Sequence, residues 1–166
     1  LKTIVPYTTR PIRVGEREGV EYHFTDETGY QELLAQGKII EARAYNTVHG
    51  LWRYFTVADA SVDLRANNYC IIGTLEAYTQ IRDYFGKDKV LPVFITLDDG
   101  VRLQRALDRE RAQDHPKYRE MCGRYLADSD DFSEENIVAA GIEKRFENDV
   151  FEKCLEEIRA YIRMFQ

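Results

Sequence analysis

The sequence predicts an α/β fold, a parallel-sheet core with a smaller mixed β/α subdomain inserted near its start. Three observations carry this. From Thr56 onward helical and strand patterns alternate, the rhythm of a layered α/β core. Residues 90–96, VLPVFIT, form a strongly apolar run suited to a strand buried on both faces of a parallel sheet. The strand patterns before Thr56 do not recur later, which marks that region as an insertion.

Taken in order, residues 2–5 read as a short strand leading into an arm. Asp26 is placed to cap a helix running to about Gln36, with Tyr30, Leu33 and Leu34 on one face. Gly37 suits its left-handed stop. Residues 38–45 read as a strand, 46–48 as a connection and 49–55 as the returning strand of a hairpin. The core then begins with a helix near 57–66 and a strand at 69–73. A helix at 75–85 ends at Gly86, and the apolar strand 90–96 follows. Asp98 or Asp99 caps a helix running towards Arg111, and a further helix spans about 117–127. The acidic residues 128–135 read as caps and a solvated turn into a short helix that Gly141 stops. Residues 142–147 offer a strand, and Asp149 caps the last helix, whose Phe151, Leu155, Ile158, Ile162 and Phe165 repeat at helical spacing as core.

The 166 residues make one domain, long enough for a real core, at 44% hydrophobic and 31% charged. The net charge of −6 disfavours an extended nucleic-acid surface but not a local basic pocket. No apolar run approaches the ~20 residues of a membrane span, and no signal-peptide pattern opens the chain. Cys70, Cys122 and Cys154 form no zinc pattern and read as buried thiols in a reducing cytoplasm.

The stretch with most chemistry is residues 7–24, YTTRPIRVGEREGVEYHF. Arg10 and Arg13 stand three apart behind Thr8-Thr9, and Pro11 stiffens the backbone between them. Two permanently charged donor forks near the Tyr22 hydroxyl make a clamp for one phosphate group. The same residues also read as a solvated basic loop meeting Glu16, Glu18 and Glu21. Glu41, after Ile39-Ile40, is either a surface charge at the ladder edge or a buried acceptor facing a cleft.

The string TTRPIRVGEREGVEYHF resembles the nucleotide-binding arm of guanylate kinases, T-T-R-x-x-R-x-G-E-x-x-G-x-x-Y-x-F. Thr8, Thr9, Arg10, Arg13, Gly15, Glu16, Gly19, Tyr22 and Phe24 meet the pattern. The resemblance implies that Arg10, Arg13 and Tyr22 hold the phosphate of a monophosphate acceptor, with Glu16 in the same substrate site. Gly37-Lys38-Ile39-Ile40-Glu41 is similar to the family's G-x-F-I-E, which implies that Glu41 accepts from N1–H and the N2 amine of guanine. His49 stands where the family has a phosphate-binding tyrosine. Departures cluster around the base. Leu51 and Trp52 replace hydroxyl residues, Pro6 and Tyr7 replace serines, and the strand through Cys70 lacks the usual following aspartates.

Arg102, Arg105, Arg109, Arg111, Arg119 and Arg124 supply positive charge for phosphoryl transfer from a mobile lid, or else lace a surface helix with ion pairs. By resemblance, Arg109 and Arg124 are the catalytic pair, although Arg105 shares the spacing, and Asn148 lies near the adenine of ATP or caps a helix. The resemblance implies a P-loop-kinase-like parallel-sheet core at 56–107 and 132–166. It places the monophosphate-binding subdomain at 7–55 and a helical lid at 108–131. The implied activity is ATP- and Mg²⁺-dependent phosphorylation of GMP or a related nucleotide, with no nucleic-acid or membrane partner and the oligomeric state open. A non-catalytic module of this family, binding a nucleotide or a phosphopeptide, is the alternative. No G-x-x-x-x-G-K-[S/T] occurs among the 166 residues. The chain opens on Leu1 and enters at once on Ile4-Val5, which reads as a strand cut from something longer. The expectation is that the segment bearing this loop is absent, leaving these residues alone inactive.

Overall fold

The computed structural model describes residues 1–47, 50–59 and 62–165, which fall into two units, Leu1–Gly86 and Lys87–Gln166. The first unit carries β1 (Lys2–Thr3), β2 (Tyr7–Thr8), β3 (His23–Phe24), α1 (Glu27–Ala35), β4 (Ile39–Thr47), β5 (Gly50–Val57), β6 (Tyr69–Cys70) and α2 (Leu75–Phe85). The second carries β7 (Phe94–Thr96), α3 (Asp99–Arg111), α4 (Tyr118–Asp131), α5 (Glu134–Ala139), β8 (Arg145–Glu147) and α6 (Phe151–Arg163). The α/β class is borne out: β1 pairs with β6 and β7 with β8, both in parallel, with six helices among the described residues.

In the first unit a four-stranded sheet runs β3-β2-β5-β4, antiparallel between β2, β5 and β4 and parallel between β2 and β3. Directly opposed residues share a face. Phe55, opposite Tyr7 and Ala42, therefore turns to the face covered by α1, where Tyr30 and Val57 complete a buried cluster with Leu33 and Ile39. Asp26 starts α1 by accepting from the Gly29 N–H at 2.8 Å, and Gly37 takes φ +66° after its last turn. Arg53 ties the hairpin to this helix, bonding Glu27 at 2.8 Å with its guanidinium 4.5 Å above the Tyr30 ring. Leu34, expected on the buried face, is exposed because the cluster is filled from Tyr30 and Leu33.

The opposite face receives Glu41, Arg43 and Tyr45 from β4, their partners Thr56, Tyr54 and Trp52 from β5, and Thr8 from β2. A β-bulge between Ile39 and Glu41 sets this register. The extra residue lets consecutive Ile40 and Glu41 both be buried, at 7% and 1% exposure. Ala42 N–H bonds the Gln80 side chain of α2 at 3.2 Å, joining that helix to the strand.

Several expectations are corrected. The helix expected at 57–66 is not found among the described residues: β5 continues to Val57, and residues 64–66 form a turn. The β-branched pair Thr56-Val57 is drawn into the ladder opposite β4. The strands expected at 69–73 and 90–96 shorten to β6 and β7. Ile95 is half exposed rather than buried on both faces, since β7 pairs on one edge with β8. Asp98 caps α3 as expected, but α4 continues to Asp131 and Ser133, not an acidic residue, caps α5. Neither Asp149 nor Asn148 caps α6, whose N-cap is Val150 without a side-chain bond. Within α6 the buried position is Cys154; Phe151 lies in the exposed first turn and Phe165 beyond the last. Of the three thiols expected to be buried, Cys70 and Cys122 are exposed.

Candidate active site

The arm is fastened to β5 through its two threonines. Thr8 Oγ1 and the Thr9 N–H both donate to the Arg53 carbonyl, at 2.9 and 3.0 Å, and the Arg53 N–H donates to Thr9 Oγ1 at 2.9 Å. The Arg10 N–H then donates to Thr8 Oγ1 at 3.3 Å. This staple delivers Arg10 to the Glu41 face of the sheet, where it is 3% exposed. Glu16 clasps it from the far side of the loop: Nη1 donates to Oε2 at 2.7 Å and Nη2 to Oε1 at 2.6 Å. Gly15, at φ +90°, makes the turn that brings Glu16 round, a backbone conformation that favours glycine.

The Arg13 N–H donates to the same carboxylate at 2.8 Å. Hydrogen bonds from Arg10 first, then from the Arg13 backbone and both charges, hold the Glu16 carboxyl down at about 2 from the usual 4.5. The Arg10 guanidinium lies 5.0 Å over the Tyr22 ring and 5.6 Å over Phe24, with Tyr54 edge-on to Tyr22 at 5.7 Å. Nη1 also donates to the Pro11 carbonyl at 3.0 Å. Of the five N–H donors of a guanidinium, Glu16 and Pro11 use three, and the Tyr54 side chain also engages Arg10. The Arg13 side chain is exposed and makes no side-chain hydrogen bond or contact ion pair among the described residues, its charge reaching Glu16 at longer range.

Across the same face, buried Glu41 accepts from Thr56 Oγ1 at 2.8 Å through Oε1 and from Arg43 Nε at 3.2 Å through Oε2. Tyr54 links the two halves, since it is opposite Arg43 on one side and Thr8 on the other. The structure thus brings Arg10, Glu16, Tyr22 and Glu41 to one sheet face. His49 lies outside the described residues. Sequence reasoning missed Arg43, Tyr54 and Thr56. Their signal was the period-two alternation from Glu41 and the hairpin partners it implies.

In the second unit Arg109 on α3 and Arg124 on α4 line one cavity of about 410 Å³ together with Arg102, Glu110 and Tyr125. Arg102 is engaged there, bonding Asp99 at 3.1 Å and Ser129 at 2.7 Å, with its guanidinium 4.2 Å over Tyr125. Glu110 is buried and accepts from the Lys117 N–H and the Gln113 amide, so it closes the α3–α4 turn. Arg109 and Arg124 are exposed and without partners among the described residues. Arg105, which shares the spacing, faces elsewhere and donates to the carbonyls of Asn148 and Asp149 at 3.1 and 3.3 Å. The Asn148 N–H donates to the Thr96 carbonyl at 2.8 Å, which fixes its position after β8.

Residues 1–164 match the family model described as guanylate kinase. A guanylate kinase of Methylobacillus flagellatus is 32% identical over 98% of this chain and 75% of its own length. One of Alkalilimnicola ehrlichii is 31% identical over 94% of this chain and 71% of its own. The crystal structure of guanylate kinase from Anaplasma phagocytophilum has the same fold, with a TM-score of 0.65 at 21% identity, covering 99% of this chain and 74% of that one.

Proposed function

The chain belongs to the guanylate kinase family, and from that premise we propose that it is a nucleoside monophosphate kinase whose acceptor is GMP and whose phosphoryl donor is ATP with Mg²⁺. The observation that carries the acceptor assignment is a buried arginine, held flat by Glu16, on the same sheet face as a buried carboxylate.

Arg10 presents the side of its guanidinium beyond Glu16 to the acceptor phosphate, beside Tyr54, and Glu16 keeps the guanidinium plane from turning. Arg13 adds an exposed second cation and Tyr22 a hydroxyl. Glu41 retains lone pairs beyond those used by Thr56 and Arg43, enough to accept from guanine N1–H and the N2 amine. Adenine offers a different donor pattern and leaves a buried group unpaired. Transfer asks for charge stabilisation and alignment more than covalent chemistry. Arg109 and Arg124, which line one cavity and are unpaired among the described residues, are the side chains assigned to that charge.

ATP supplies the phosphoryl group and Mg²⁺ screens its charge when bound. The 166 residues include no G-x-x-x-x-G-K-[S/T] loop, so no residue here is assigned to the ATP phosphates or the metal beyond Asn148 for the adenine, and no step is derived through them. We place the protein in the cytoplasm. Three free thiols, two of them exposed, suit a reducing compartment, and no helix among the described residues is long and apolar enough to cross a membrane.

Titration calorimetry of the chain with GMP, AMP, dGMP and a phosphopeptide tests the reading. Selective GMP binding is expected. A folded chain that binds the phosphopeptide and no nucleotide would replace the kinase with a binding module.

A further inference from the structure

We propose that Arg43 is a specificity-determining residue of the acceptor site, reading the O6 carbonyl of a 6-oxopurine beside Glu41. The inference rests on the monophosphate-acceptor reading above and adds a residue to it.

Arg43 follows Glu41 by two positions on β4, so both side chains leave the same sheet face. Its Nε donates to Glu41 Oε2 at 3.2 Å, and the side chain is only 13% exposed. Its two terminal nitrogens have no partner among the described residues. Those nitrogens are not sealed from solvent, so a guanidinium held in place by Nε keeps its terminal donors open to a ligand. Its neighbour across the hairpin is Tyr54, whose ring packs towards Tyr22 in the phosphate clamp. Arg43 therefore stands beside Glu41 on this face, with Tyr54 between it and the clamp.

The Watson–Crick edge of guanine has an acceptor, O6, beside two donors, N1–H and the N2 amine. A carboxylate alone answers the donors and leaves O6 bare. Glu41 and Arg43, already in contact, present acceptors beside donors in the matching order. Arginine to a guanine carbonyl is also a common specific contact in nucleic-acid recognition. Trp52 supplies no hydroxyl to the base, and Arg43, in contact with Glu41, brings N–H donors to its side.

The test uses titration calorimetry of the chain and of Arg43→Met with GMP, IMP and 6-thioguanosine monophosphate. The thio analogue keeps N1–H and the amine but replaces O6 with a weak acceptor; IMP keeps O6 and lacks the amine. The unaltered chain is expected to prefer GMP over the thio analogue about tenfold or more, and Arg43→Met to shrink that ratio to about twofold or less. The GMP to IMP ratio, which reports Glu41, stays within about threefold. Arg43→Lys keeps a cation beside Glu41 without the fork, and shows the same loss of the oxygen-to-sulfur ratio should Arg43→Met not fold. If GMP and its thio analogue weaken together while the GMP to IMP ratio falls, Arg43 acts only through Glu41 and the inference is overturned. Unchanged ratios overturn it too and leave the acceptor reading intact. Failure of the unaltered, folded chain to bind any monophosphate overturns both.

Discussion

Arg10→Lys separates charge from geometry at the phosphate clamp. The ammonium keeps the positive charge on the Tyr22 face but loses the two-point clasp to Glu16 at 2.6 and 2.7 Å and the bond to the Pro11 carbonyl. A lysine that turns back to Glu16 loses at least one charge-assisted bond that the guanidinium fork can offer a phosphate. Each charge-assisted bond contributes about 1.5–3 kcal/mol, so GMP affinity is expected to fall about ten- to a hundredfold. Guanosine, which has no phosphate, should bind the variant as well as the original chain. The assay is paired calorimetry with GMP and guanosine, with circular dichroism to verify the fold. Equal GMP affinity in a folded variant, or an equal loss for guanosine, refutes the assignment of the phosphate to Arg10.

Three further outcomes follow from the same geometry. Arg13→Ala, which removes an exposed cation, should cost GMP binding about 1–3 kcal/mol. It should also flatten the salt dependence, as calorimetry at two ionic strengths would read out, whereas Arg10→Lys should not. The Glu16 carboxyl titrates near 2 in the fold against 4.5 ordinarily, so its contribution to stability is complete above 4.5 and is lost as pH falls towards 2. Urea unfolding of Glu16→Gln across that window should show a shallower acid loss than the original chain; an identical slope would remove Glu16 as a cause. In a polypeptide that also carries a phosphate loop, Arg109→Ala and Arg124→Ala should each slow turnover about a hundredfold with GMP affinity unchanged, and a coupled ADP-release assay with unaltered turnover would take them out of the reaction.

What could be read from the chain was what is local. The threonine pair, the two arginines, Gly15 and Tyr22 form one contiguous motif, and Asp26, Gly37 and Asp98 act through bonds or dihedrals a few residues away. Arg43, Tyr54 and Thr56 escaped because their role depends on hairpin register. That register turns on a bulge between Ile39 and Glu41 that no residue type announces. The helix expected over 57–66 failed for a related reason. Val57 fits a helical face by spacing, but pairing with Ile39 draws it into β5. The reading of the arm as a loop whose arginines meet nearby glutamates holds for Arg10, which pairs with Glu16, a contact six residues along the same loop. The exposure of Cys70, Cys122, Phe151 and Phe165 depends on what covers each position, which residue type does not specify.

The charges of the acceptor face nearly cancel before any ligand arrives. Arg10 is matched by Glu16 and Arg43 by Glu41, each pair in direct contact, which leaves Arg13 as the surplus cation of the five. A phosphate monoester brings roughly −1.5 to −2 charges near neutral pH. A face so balanced, on a chain of net charge −6, draws a nucleotide weakly from a distance. Its affinity must come from donors and acceptors already aimed and already short of water. The internal ion pairs supply that aim, because each holds a side chain in place through one part of its head group and leaves the rest for a ligand. A site of this kind discriminates by the pattern of the ligand's donors and acceptors more than by its charge. That is the requirement for choosing one nucleoside monophosphate among several that carry the same phosphate.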